Sequence, residues 1–447
     1  MPLACFVLLS MISVPVKAVA ECEPVDELYF VGNKKTNITE FVEAVVSYGQ
    51  PVLIRNLATG LNWQAFSLWR NQSYLVEALG GDLTIKKQLN DSFFTLHNPK
   101  FPFHPTPSKK YSLEKISTNS FVSNVFDEVN TVDGTQSYYY FSGELPESME
   151  DDVKNEPLKV KHVDKSKSHS VLWVGSEGVK AQLHYDISYN FFTQIVGNKT
   201  FTLYNPANYR YLKLYPSIHP ARRQSQVQNY STLNVSSITA NLGEGDVLYV
   251  PPFWLHTVHS SSKHSISIST VSASKIEYFW SFVDKQQIAL HKLKPGIQRV
   301  LGVRIYVEAL MHSLSINTKE FMALLWDTRY SRIYDYLDNT VASNLLDVDE
   351  IIGESQSVHY KRFNCNDFAL LKKVALVLSD VNDETSEMLG SIVQSISKQI
   401  VDLKTDNVLH DGILDMLLQD YVEKLLQHAV GKENTIDIAV AINECFL

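Results

Sequence analysis

The pattern of apolar and polar positions changes rhythm along the chain and marks out three zones. Between about residues 27 and 146 short helical and strand-like pieces mix. Phe41-Val42-Glu43-Ala44-Val45-Val46 has helical spacing, and Pro51-Val52-Leu53-Ile54 reads as a short buried strand. From Ser170 to Val271 the rhythm is that of strands: Val171–Val174, Phe191–Val196, Thr200–Tyr204, Asp246–Val250 and Ser265–Ser269. Turn residues such as Gly197-Asn198 punctuate them. Many short strands so separated predict a sandwich or jelly roll rather than a parallel α/β sheet. Beyond Lys275 apolar residues recur every three or four positions. That spacing predicts helices over Phe279–Leu293, Ile297–Leu314, Lys319–Tyr336, Phe368–Leu378, Thr385–Leu403 and Asp411–Gln427, with 337–365 as a mixed connector. The helical tail is long enough to form a domain of its own.

Composition narrows the class. The 447 residues exceed what one small domain needs, and the net charge of -9 argues against a general nucleic-acid binder, which requires a basic footprint. No nucleic-acid partner is therefore expected. The apolar run Leu3–Val14, followed by Pro15 and Ala18-Val19-Ala20, predicts a signal peptide over residues 1–20, although no Lys or Arg precedes the run. The run is short for a membrane span, and no later segment is apolar enough for one, so no span is expected after signal removal. Cleavage would leave Cys22, Cys365 and Cys445, which allows one disulfide and an odd thiol, with the pairing open. Sequons at Asn37, Asn71, Asn90, Asn229 and Asn234 fit the same secretory route, to the endoplasmic reticulum lumen or the exterior. The sequon at Asn198 is expected to be unused, because it adjoins a candidate site residue.

One constellation carries chemistry. In Leu183-His184-Tyr185-Asp186 the His and the Asp stand at i and i+2, which on a strand puts both side chains on one face. His256 follows in Asp246-Val247-Leu248-Tyr249-Val250-Pro251-Pro252-Phe253-Trp254-Leu255-His256 and supplies a second imidazole from another strand. Two imidazoles and a carboxylate cover one face of octahedral Fe(II) and leave the other positions for small ligands. An isolated His-x-Asp is commonplace; its place inside a β-rich block gives it weight. His259 and His264 are rival third ligands, but His259 lies three positions past His256 and faces the other way on a strand. A dicarboxylate bound at such a metal needs a buried cation for its far end. Lys199, thirteen residues after Asp186 and flanked by apolar strand residues, is the candidate.

Several ordered segments extend this picture: Asn190-Phe191-Phe192-Thr193-Gln194-Ile195, Gly197-Asn198-Lys199, Leu214-Tyr215-Pro216, Arg223-Gln224-Ser225-Gln226-Val227 and Gly245-Asp246-Val247-Leu248-Tyr249-Val250-Pro251. With His184-Tyr185-Asp186 and His256 they resemble the JmjC, cupin-like family of Fe(II)- and 2-oxoglutarate-dependent oxygenases, and within it the asparaginyl hydroxylases. The likeness covers roughly residues 40 to 275. It implies a mainly β double-stranded β-helix (jelly roll, cupin) core with flanking helices and an additional all-α C-terminal domain. The parts would be 21–147, an α+β portion of the catalytic domain, 148–275, the core, and 276–447, the helical domain. The resemblance further implies iron on His184, Asp186 and His256, and Lys199 on the distal carboxylate of 2-oxoglutarate. Tyr140, with Tyr138 as the alternative on the same strand face, would add its hydroxyl; Asn190 would line the pocket; Gln224 and Arg223 would touch substrate. Two positions depart from the asparaginyl hydroxylases: Ala181 stands where they carry Thr, and Val271, followed by Ser272, where they carry Asn. The implied reaction consumes molecular oxygen and hydroxylates a polypeptide side chain, with a homodimer through the C-terminal helices. Alternatives are a lysine demethylase, which needs a nuclear location, a tRNA-base hydroxylase, which the acidity disfavours, and a non-catalytic binding module.

Overall fold

The structure, a computed structural model, describes residues 23–29, 37–95, 97–98, 111–126, 131–132, 135–161, 167–228, 230, 233, 235–286, 288–334, 365–379, 389–406, 408–409, 412–431 and 435–447. The expected signal segment 1–20, Cys22, Asn229, Asn234 and the connector up to Cys365 lie outside the described residues. The described residues fall into two compact units, one within 1–95, 109–205 and 234–278, the other within 96–108, 206–233 and 279–447. The helical tail thus shares its unit with residues from the middle of the chain. Residues on either side of 147 share one sheet.

The strands of the first unit are β1 (Glu23–Pro24), β2 (Asp26–Tyr29), β3 (Val52–Arg55), β4 (Asp82–Leu89), β5 (Phe93–Phe94), β6 (Ser112–Ser117), β7 (Thr131–Val132) and β8 (Thr135–Glu144). They continue with β9 (Ser168–Ser176), β10 (Lys180–His184), β11 (Tyr189–Val196), β12 (Lys199–Tyr204), β13 (Ile238–Leu242), β14 (Val247–Val250), β15 (Leu255–Ser260) and β16 (His264–Ser272). A six-stranded sheet has the order β1-β13-β12-β15-β10-β5, and a ten-stranded sheet the order β2-β3-β14-β11-β16-β9-β8-β4-β6, with β7 on β8. Among the described residues the two sheets close no barrel.

Alternation along the strands explains how the sheets pack. Phe192, Leu248, Val250 and Leu53 of the larger sheet meet Phe201, Leu203, Ala240 and Leu242 of the smaller in one buried cluster. Phe192 and Phe201 meet edge-on at 4.8 Å between centroids. The intervening residues Phe191, Ile195, Tyr249, Ile266 and Ile268 point to the larger sheet's other face. There they pack against Val42 and Val45 of the helix Ile38–Tyr48 and Phe121 and Val125 of the helix Thr118–Phe126. β11 is therefore buried along its whole length, its polar Asn190, Thr193 and Gln194 included.

Local chemistry fixes the ends of these elements. Asn37 caps Ile38–Tyr48 by accepting from the Glu40 N–H, and Asn71 caps Gln72–Leu79 by accepting from Ser73 and Tyr74. Two of the sequon asparagines thus already serve as N-caps. Gly197 (φ 77°) ends β11 in a turn that carries the chain from the larger sheet into β12 of the smaller; it is not a hairpin within one sheet. A Cβ there would strike the Ser262 hydroxyl and the His264 carbonyl. Asp246 of the Gly-Asp-Val-Leu-Tyr segment is buried, pairs with Arg55 at 2.6 Å and accepts from the Gly243 N–H at 2.9 Å.

In the second unit the helix Ile297–Ser313 is central, with Phe368–Ser379, Leu389–Thr405, Ile413–Val430 and Thr435–Phe446 packed on it. The stretch predicted as one helix over Lys319–Tyr336 is an α-helix, Thr318–Leu325, that widens into a π-helical turn, Trp326–Tyr330. In that turn Arg329 is buried and pairs with Asp420 at 2.7 Å and Glu423 at 2.6 Å. A disulfide joins Cys365 to Cys445, with their Cα atoms 5.1 Å apart. Among the described residues no helix is long and apolar enough to cross a membrane.

Candidate metal centre

His184 ends β10 and His256 lies near the start of β15, the antiparallel neighbour, directly opposite it in register. Asp186 lies two residues further, just past the end of β10 rather than within it. It is held there by its own carbonyl, which accepts the Phe253 N–H at 2.7 Å, and by Tyr185 stacking on Phe253 at 5.1 Å. Phe253 itself is in the left-handed region (φ 66°), in the turn that follows Pro251-Pro252. The turn after β10 and the turn before β15 are thus bonded to each other, and this brings the three side chains together.

The nearest ligand atoms of His184, Asp186 and His256 all lie within 4.8 Å of one another. The two imidazoles are 4.3 Å apart between centroids, and His256 Nε2 is 3.9 Å from Asp186 Oδ2. Each ring is fixed from behind: His184 Nδ1 bonds the Gln182 carbonyl at 2.8 Å and His256 Nδ1 bonds the Trp254 carbonyl at 2.9 Å. A carbonyl only accepts, so Nδ1 carries a proton in each ring and Nε2 is the nitrogen left to face a metal. Burial of His256, with His184 beside it, pulls its pKa down to about 4, so its ring is neutral at physiological pH. Asp186 is half-exposed, leaving one side of the group open. The rival histidines are elsewhere: His259 sits opposite Lys180 and Thr200, and His264 stacks on Phe126 at 4.2 Å.

Lys199 opens β12 and is 2% exposed. Its amine reaches across to the other sheet, donating to Ser267 Oγ at 2.8 Å and lying 5.1 Å from the centre of the Phe192 ring. Among the described residues no acid partners it, and burial lowers its pKa to about 7. The sequence reading missed Ser267, yet its signal is plain. In Ser265-Ile266-Ser267-Ile268-Ser269 every second residue is Ser, so one face of a core strand is lined with hydroxyls. Ser269 accepts from the Trp173 indole at 3.0 Å. Asn190 is buried on β11 opposite Val250 and Val271, and its Oδ1 has no hydrogen-bond partner.

Tyr140 is buried between Phe94 and Trp173, at 5.6 and 5.8 Å between centroids, and burial raises its phenol pKa so that it stays protonated. Tyr138 is less buried and lies against Gly178. Ala181 faces Phe94 and Val258 across its neighbouring strands. Arg223 and Gln224 belong to the second unit, where Arg223 has a left-handed backbone (φ 63°) and Gln224 is buried.

The donor set fits Fe(II) and 2-oxoglutarate. Two imidazoles and a carboxylate converge with one side open, while a buried, acid-free amine beside a hydroxyl and an unpartnered Asn190 oxygen offer polar anchors in the same sheet pair.

Open paired sheets carrying such a group define a cupin-type protein. Residues 38–282 match the cupin-like domain family, and the chain belongs to that family. It is 26% identical over 244 residues to tRNA wybutosine-synthesizing protein 4 of Neurospora crassa, covering 50% of this chain and 18% of that protein. It is 26% identical over 247 residues to Jumonji C domain-containing protein 5 of Drosophila melanogaster, covering 52% and 57%. With tRNA wybutosine-synthesizing protein 5 of Mus musculus it shares 25% over 244 residues, covering 49% and 70%. These matches take in about half of this chain, but only 18%, 21% and 53% of the lengths of the relatives from Neurospora crassa, Aspergillus oryzae and Dictyostelium discoideum.

Proposed function

We propose that the chain is a JmjC oxygenase that uses Fe(II), 2-oxoglutarate and molecular oxygen to hydroxylate a polypeptide side chain in the secretory pathway. The observation that carries this reading is the His184-Asp186-His256 group, with both Nδ1 atoms tied back, in the same sheet pair as the buried amine of Lys199. When bound, iron and 2-oxoglutarate supply the oxidation: one oxygen atom goes to a C–H bond, the other to succinate, and CO2 leaves.

The chain's own residues position and shield. His184 and His256 present Nε2, and Asp186 adds a carboxylate from the open side. Lys199 with Ser267 takes the distal carboxylate, and the protonated Tyr140 phenol is available as a further donor. Phe192, Phe201 and Trp254 keep water from the inner face. Arg223 and Gln224 keep their proposed substrate role on the strength of the resemblance, as does the likeness to asparaginyl hydroxylases. The Cys365–Cys445 disulfide supports an oxidising compartment. Pairing of two copies through the C-terminal helices is part of the same reading.

The test is succinate release with candidate peptides, comparing the wild type with His184→Ala. Iron-dependent turnover that falls at least 100-fold in the variant is expected; a wild type that never turns over 2-oxoglutarate, coupled or uncoupled, overturns the proposal and favours a binding module. Residence of the untagged protein in the nucleus would favour demethylation instead. The names of the wybutosine-synthesizing relatives raise a second reading, oxidation of a tRNA nucleoside. The net charge of -9 disfavours it, and tRNA retardation at physiological salt decides it.

A further inference from the structure

The inner face of the larger sheet carries a second amine, half-buried. Lys86 on β4 lies directly opposite Tyr140 of β8, and its Nζ is 5.6 Å from the centre of that ring and 3.4 Å from Ser142 Oγ. The lysines around it are matched with acids: Lys87 has Glu114 at 3.6 Å, and Lys115 has Asp82 at 3.7 Å. Among the described residues Lys86 has no acid. Burial alone lowers its pKa, to about 8. Two residues along on the same face, Gln88 is 3% exposed and its Oε1 has no hydrogen-bond partner. Across the strand pair Leu113, opposite Lys86, is 55% exposed and gives the amine an apolar rim.

Alternation puts Lys86 on the face that also bears Tyr140, Trp173 and Ser267, while Ile85 points to the helix-covered side. The order β16-β9-β8-β4 places it three strands from Ser267, roughly 14 Å at the usual strand spacing. A cation left this poorly solvated is matched by an anion that arrives from outside, and a carboxylate can take one bond from the amine and one from the Ser142 hydroxyl.

We propose that Lys86, with Ser142, is a specificity-determining site that binds a carboxylate of the substrate, an Asp or Glu side chain of the polypeptide. The proposal rests on the oxygenase reading for the word substrate, but not for the binding itself.

The test uses the full chain and synthetic peptides in which a scanned position is Asp or Glu, Asn or Gln, or Lys or Arg. Wild type should retain acidic peptides about tenfold or more over their amide counterparts. Lys86→Met should lose that selection, and Lys86→Glu should reverse it toward basic peptides, a change that mere loosening of the fold does not produce. Identical charge selection by wild type and Lys86→Glu overturns the proposal. So does a Lys86→Met variant whose peptide selection is unchanged while its affinity for 2-oxoglutarate, read by tryptophan quenching, falls; the carboxylate is then the cosubstrate's. Should Lys86→Glu fail to fold, by circular dichroism, the Lys86→Met comparison still decides. Charge selection that persists in His184→Ala, with no turnover in wild type, sinks the oxygenase reading and leaves this site standing.

Discussion

At the scale of single residues, Lys199 is an amine buried in the inner face with no acid beside it among the described residues. The folded-state pKa of Lys199 is lowered to about 7, below the 10.5 of a free lysine. Between those values the unfolded chain holds a proton that the native state lacks, so this residue makes stability rise with pH from about 7 to about 10.5. Below 7 its burial penalty is fully present. Lys199→Met should therefore raise the melting temperature at pH 7, by an amount equivalent to a few kcal/mol at most, and flatten the rise toward pH 10. Thermal melts across that range check it; a variant that melts lower at pH 7 contradicts it. Much of this was legible beforehand. His184, Asp186, His256 and Lys199 stand out because a His-x-Asp in a strand block and a lysine between apolar strand residues are chemically conspicuous. Lys86 was not legible, because Lys86-Lys87 in a row looks like a solvated strand; only the sheet pairing gives one of them an acid and denies it to the other.

At the scale of elements, the crossing at Gly197 decides where Lys199 goes. Gly197→Ala should cost about 1–3 kcal/mol, since it adds a strained φ to a clash with Ser262 and His264. Urea unfolding followed by tryptophan fluorescence measures it, and a change below 0.5 kcal/mol would show that the turn relaxes freely. Periodicity identified the core strands and most of the helices. It did not reveal that β11 and β12 belong to different sheets, because turn chemistry reports a reversal and not the sheet it leads to. It also missed the helix Thr435–Phe446, whose Ile438-Ala439-Val440-Ala441-Ile442 run is buried all round and so has no polar face to set a period. The π-helical turn that holds Arg329 was invisible for a related reason: helical spacing reads the same whether one turn is widened or not.

At the scale of the whole molecule, the second unit is held by a covalent link as well as by packing. The Cys365–Cys445 disulfide spans 80 residues of sequence, a separation for which the chain-entropy account gives about 4–5 kcal/mol of stabilisation. Calorimetry with and without reductant should show a transition that moves to lower temperature on reduction; an unmoved trace would mean that helix packing alone sets it. Residues 97–98 and 206–228, which belong to this unit from within the cupin-like region, were not assignable from periodicity, since their membership is a matter of contacts and not of local pattern.

The same bond has a consequence for how the protein comes apart. A protease that cuts the backbone once, anywhere between Cys365 and Cys445, opens a closed ring and not a line, and both pieces stay on one molecule. Such a nicked protein should migrate as a single band until reductant is added and as two afterwards. A cut inside that loop would in this way remain hidden from electrophoresis run without a thiol.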